Sequence, residues 1–263
     1  MEHNRIRTVN VMRYITPLRE GGSLPAIAEA DDDFMYVIKF RGAGQGVKAL
    51  VAELVGGEIA RALGLKMPEI VFAQLDEAFG RTEPDEEIQD LLKSSTGLNL
   101  GVHYLSGSFM YDPVVYDVDA MTASMIVWMD ALLMNVDRTP KNTNLLVWNK
   151  ELWLIDHGAS LYFHHSGTEW NEQSTRPFQL IKDHVLLPIA SALDDADNAC
   201  KKILSENVIA EILSLIPSHW LACYDPDKSS DTIRNEYRHF LLKRISSSHI
   251  FVKEAQHARQ SLI

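Results

Sequence analysis

The stretch Asn135-Val136-Asp137-Arg138-Thr139-Pro140-Lys141-Asn142-Thr143-Asn144-Leu145-Leu146-Val147-Trp148-Asn149-Lys150-Glu151-Leu152-Trp153-Leu154-Ile155-Asp156-His157-Gly158 decides how this chain reads. A polar loop leads into two short apolar runs, Leu145 to Trp148 and Leu152 to Ile155, around a polar turn, which predicts a β-hairpin. A hairpin returns to where it began, so the loop and Asp156 are expected at one end of it. There Asp137, Asn142 and Asp156 supply hard oxygen donors. Mg²⁺ takes few protein oxygens and completes its octahedron with water and phosphate, a demand that Asn142 and Asp156 meet. Asp137 is then left to orient or deprotonate an acceptor hydroxyl. Each residue alone reads as a loop cap or an Asx turn; together they point to phosphoryl transfer. Beside them, Arg138 suits a loop anchor paired with a carboxylate, Lys141 a point charge near a terminal phosphate, and Asn144 a turn residue at the strand start.

Upstream, β-branched and aromatic residues predict strands over Thr8 to Ile15, Leu24 to Ala30 and Phe34 to Phe40, with Pro25 confining the second to an edge. Gly21-Gly22-Ser23, in the turn between the first two, suits either an ordinary hairpin or backbone N–H groups laid over phosphates. Gly42, Gly44 and Gly46 could serve the same purpose or form a hinge. Apolar residues recurring between Val47 and Leu65 predict an amphipathic helix, weakened by Gly56-Gly57 and stopped by Gly64. Glu69 to Leu75 reads as a further strand, Asp76 to Leu98 as a polar excursion, and Asn99 to Met110 as a possible strand. A buried helix is expected over Asp119 to Asn135, in an apolar run that Asp130 interrupts, and the second half is mostly helical.

The 263 residues carry 36 acidic and 25 basic side chains, a net charge of −11, with no dense basic block. That balance disfavours direct nucleic-acid binding and recruitment to anionic membranes. No apolar run approaches the ~20 residues of a membrane span, and the N-terminus lacks a signal-peptide pattern. Cys200 and Cys223 form no CxxC pair, so a cytoplasmic setting is expected. His164-His165 has no third ligand at a regular spacing, and Trp148 and Trp153 read as packing residues.

The D-x-x-x-x-N spacing of Asp137 to Asn142, with the triplet Asp156-His157-Gly158, resembles the protein-kinase-like fold, and the NxDR..KN loop with its IDHG triplet resembles the HipA-like kinases. The resemblance implies an α+β, two-lobed fold: a small β-rich N-lobe with one helix over 1–97, and a mainly helical C-lobe over 98–263. It implies ATP and Mg²⁺, with Lys39 contacting phosphates and a helix glutamate pairing with it. Glu53 is preferred and Glu58 is the competitor. Asp137 and Lys141 take catalytic roles, Asn142 and Asp156 metal roles, and Gly21, Gly22 and Ser23 a phosphate role. Lobe order places the adenine near Val102 and Leu105. The implied activity is transfer of a γ-phosphoryl group to a hydroxyl, Ser or Thr of a protein. Thr139 stands where many relatives carry His, and no G-x-G-x-x-G loop is present, which keeps open a nucleotide-sensing pseudokinase. A small-molecule kinase is the third reading.

Overall fold

The structure is a computed structural model describing residues 6–18, 24–80, 84–165, 170–225 and 227–262. Its first part is a closed barrel. Strand β1 (Thr8–Pro17) pairs with β2 (Ala26–Ala30), which pairs in turn with β3 (Met35–Lys39). The chain then forms α1 (Gly46–Ala62), β4 (Ile70–Leu75), α2 (Glu86–Ser94) and β5 (Gly97–His103), and β5 inserts between β3 and β4 while β4 closes on β1.

The structure changes two sequence expectations. β2 lies between two partners rather than at an edge, and Pro25 sits just before its first residue, where its missing N–H breaks no ladder bond. The polar excursion contains a second helix, α2, whose N-cap Asp85 accepts from the N–H groups of Glu87 and Ile88. The small lobe therefore has two helices, not one. The boundary expected at 97 falls at the first residue of β5, and strand pairing keeps the chain in the barrel as far as His103.

The segment read as one strand over Asn99 to Met110 is two: β6 (Phe109–Met110) leaves the barrel for a second sheet. After α3 (Ala120–Leu133) come β7 (Leu145–Trp148) and β8 (Glu151–Leu154), and that sheet has the order β6-β7-β8. Leu145 pairs with Leu154, so the loop before β7 and the triplet after β8 meet at one end of the hairpin. Helices α4 (Trp170–Gln173), α5 (Leu193–Ile203), α6 (Glu206–Ser214), α7 (Ser218–Tyr224), α8 (Ser230–Ser246) and α9 (His249–Gln260) complete the chain.

Burial divides into two cores. Val9, Val11, Tyr36, Ile38, Val71 and Ala73 fill the barrel. A larger core runs from α1 through α3 to α9. α1 touches α3, α6 and α7, and every residue from Leu50 to Ala60 is buried, so the helix is enclosed rather than amphipathic. Its two central glycines have a packing cause: a Cβ at Gly56 would stand 2.7 Å from the His157 Cβ, and one at Gly57 2.5 Å from the Ile70 side chain.

Candidate active site

Three elements bring charge together at the mouth of the hairpin. Lys39 ends β3 on the barrel's outer face, as its pairing with Leu100, and that of Val37 with Val102, establishes. Its Nζ donates to Glu53 Oε2 at 2.6 Å and to Asp156 Oδ1 at 2.5 Å. Burial alone would lower the Lys39 pKa, but the Asp156 and Glu53 carboxylates hold it well above the ordinary lysine value. Lys39 in turn holds Asp156 below the usual carboxylate range. Burial pushes Glu53 up against the opposing effect of Lys39. Glu58, the competing partner, instead meets Arg61 at 3.0 Å.

Glu53 also fixes the triplet, because its Oε2 accepts the His157 backbone N–H at 2.6 Å. Asp156 adopts φ +52°, a left-handed conformation that aspartate tolerates better than most side chains. Its side chain is 46% exposed. Oδ2 has no protein partner among the described residues, which leaves an oxygen facing solvent.

The loop is held as tightly from the other side. Asp137 Oδ2 accepts from Asn142 Nδ2 at 2.9 Å and from Asn144 Nδ2 at 3.2 Å. The Asn142 amide therefore orients its Oδ1 away from Asp137, and that oxygen accepts no hydrogen bond among the described residues. Thr139 and Asn142 exchange backbone bonds, and Thr139 Oγ1 accepts the Asn142 N–H at 3.3 Å. Asn144 joins the halves: Nδ2 donates to the Asp137 carbonyl at 3.0 Å, while its own carbonyl accepts the Ile155 N–H at 3.1 Å. Sequence reading gave it only a turn; the extra signal is a second asparagine two positions after Asn142.

Arg138 is 1% exposed. Nε meets Asp130 Oδ2 at 2.6 Å, Nη1 donates to the Asn144 carbonyl, and Nη2 lies 3.4 Å from His157 Nδ1. Burial, reinforced by this guanidinium, pushes His157 down to about 3, so it is a neutral imidazole. Lys141 is exposed and makes no ion pair among the described residues. Val102 and Leu105 are both buried, Val102 on the strand face that carries Lys39. Gly21, Gly22 and Ser23 lie outside the described residues.

Elsewhere, His164 Nδ1 lies 2.9 Å from the Tyr237 hydroxyl, Trp148 packs edge-on to Trp153, and both cysteines are free. Among the described residues no group of three or more His, Cys, Asp or Glu could hold a metal. The site's own oxygen set is one carboxylate and one carboxamide, the sparse protein contribution that Mg²⁺ accepts when water and phosphate complete its shell. Among the described residues no helix is long and apolar enough to cross a membrane.

A barrel lysine paired with a helix glutamate and with the aspartate of an Asp-His-Gly triplet, tied through Asn144 to an Asp-Asn loop, is an arrangement suited to phosphoryl transfer. The chain belongs to the HipA-like kinase family, whose model it matches over residues 11–255. Among solved structures it is similar to the proinflammatory kinase CtkA of Helicobacter pylori, at 13% identity over 98% of each chain with a TM-score of 0.59, a likeness of fold. It is also similar to the Golgi casein kinase solved with Mn/ADP bound, at 12% identity over 98% of this chain and 74% of that one, with a TM-score of 0.47. No curated protein matches the chain.

Proposed function

We propose that this HipA-like kinase transfers the γ-phosphoryl group of ATP, with Mg²⁺, to a Ser or Thr hydroxyl of a protein. The observation that carries the reading is the joining of two charged halves, Lys39-Glu53-Asp156 and Asp137-Asn142, through Asn144. ATP would lie between the barrel lobe, which we end at His103, and the helical lobe. Val102 and Leu105 sit toward the adenine and Lys39 at the phosphates.

Asn142 Oδ1 and Asp156 Oδ2 would hold Mg²⁺, which when bound neutralises phosphate charge. Asp137 Oδ1, without a protein partner among the described residues, accepts the hydroxyl proton. As it does so the acceptor oxygen bonds to the γ-phosphorus, and the bond from that phosphorus to the bridging oxygen breaks to release ADP. Exposed Lys141 supplies positive charge beside the transferred group. Glu53 fixes Lys39 and, through the His157 N–H, the triplet that carries Asp156.

Thr139, which suggested a binding module without turnover, holds Asn142 through its hydroxyl, an arrangement that serves the metal side of the site. The test is label transfer from γ-³²P ATP to protein substrates or to water, for the parent and Asp137→Ala. Loss of the general base is expected to lower the rate by about 10²-fold or more. Equal rates for the two proteins would remove Asp137 from the reaction and with it this reading.

A further inference from the structure

Asp130 lies fully buried in the last turn of α3. Its Oδ1 accepts from Asn135 Nδ2 at 3.0 Å, and Asn135 Oδ1 accepts the Asp137 backbone N–H at 3.1 Å. Its Oδ2 accepts from Arg138 Nε at 2.6 Å and from His184 Nε2 at 2.9 Å. Arg138 extends the network, donating from Nη1 to the Asn144 carbonyl and, at 3.5 Å, to the carbonyl of Ile155, the residue before Asp156. Asn144 returns to Asp137, so the network closes on itself. The Val185 N–H donates to the Arg138 carbonyl at 3.0 Å, bringing in the segment that follows the triplet.

Burial alone would raise the Asp130 pKa, but the Arg138 guanidinium and then His184 hold it well below the usual carboxylate range. The His184 tautomer is fixed by chemistry: Nδ1 accepts the Leu186 N–H at 3.0 Å, so the proton sits on Nε2 and points at Asp130. A buried ion pair is a poor source of stability compared with apolar residues of the same volume. What a carboxylate at this position supplies, and an apolar residue cannot, is direction for three donors at once.

We propose that Asp130 is a positioning residue for the transfer reaction. Acting through Asn135 and Arg138, it sets the angle and separation of Asp137 relative to Asp156. The inference rests on the kinase reading above. Its distinctive prediction is a loss of turnover far larger than any loss of nucleotide binding, since Lys39, Glu53 and Asp156 hold one another independently of Asn135, and Asn142 alone of the residues assigned to ATP and Mg²⁺ leans on Asp137.

Asn135→Ala is the sharpest test, because it cuts the tie to Asp137 yet leaves Asp130 with Arg138 and His184. Mg·ATP affinity by calorimetry and γ-³²P release to water or protein are measured for parent and variant, with a far-UV melt to establish folding. The expected result is a dissociation constant within about 3-fold of the parent's and a turnover lowered by about 30-fold or more, the scale on which a small misplacement acts. If Asn135→Ala does not fold, Asn135→Ser is measured with the same expectations. A folded variant that turns over within about 3-fold of the parent overturns the inference and leaves the function standing. Loss of Mg·ATP binding together with turnover makes the role structural and also overturns it. A parent that fails to bind Mg·ATP, or binds without turnover, overturns the proposed function and this inference with it.

Discussion

Arg138 donates only into the protein, to one carboxylate, two carbonyls and an imidazole, so it organises the site from beneath rather than touching substrate. His184, on the far side of Asp130, gives this region a pH dependence. Burial pushes its imidazole below the ordinary value of 6.5, with Asp130 opposing and Arg138 reinforcing. The unfolded chain therefore takes up the proton first as pH falls. The stability His184 contributes is complete above about pH 6.5 and declines as pH drops toward the lowered folded value. Urea unfolding between roughly pH 7.5 and 5.5 is expected to show stability falling with acid. The slope should become shallower in His184→Gln, which keeps a donor for Asp130 but does not titrate, while His157, likewise buried and neutral, supplies slope that remains. An unchanged slope would leave His184 with no part in it. At this scale the meeting of Asp137, Asn142 and Asp156 at one end of the hairpin was legible from side-chain type and spacing, and the Lys39–Glu53 pair from the family resemblance. Asp130 was not: its partners Asn135, Arg138 and His184 are separated along the chain, and in sequence it only interrupts an apolar run.

Helix α1 shows how an element can be read correctly in period and wrongly in surroundings. Its three and four residue spacing identifies a helix, but apolar residues on every side, with Gly56 and Gly57, reflect enclosure between barrel and helical lobe. Glycine at 56 lowers helix propensity by about 1 kcal/mol relative to alanine. The gain from Gly56→Ala is outweighed by overpacking against His157, typically about 1–3 kcal/mol. Gly56→Ala is therefore expected to destabilise the protein on balance and, by shifting His157, to weaken Mg·ATP binding through Asp156; chemical denaturation and calorimetry measure both. A more stable variant with parental affinity would contradict the packing argument. Helix α2 escaped sequence reading because it is short, polar and set among loop-forming residues. Pro25 misled for a different reason, since edge status depends on barrel closure, which no local pattern reports.

At the scale of the molecule, a barrel and a helical lobe have separate interiors, yet α1 belongs to the larger core and carries the glutamate that grips the barrel's Lys39. The α+β class was legible from strands followed by helices, and the division into two lobes came from the family resemblance. The extent of the barrel was less legible, because β5 returns to pair inside it after α2 has left. On the proposed function, Mg·ATP binds between Lys39, Asp156 and Asn142. The most direct measurement is thermal unfolding with and without Mg·ATP, run on the parent and on Asp156→Asn. A ligand at ~100 times its dissociation constant adds about 2.7 kcal/mol to the native state. The parent is expected to shift clearly upward and Asp156→Asn to shift less; no shift in the parent, or one that the substitution leaves intact, would mean that Mg·ATP does not bind at Asp156.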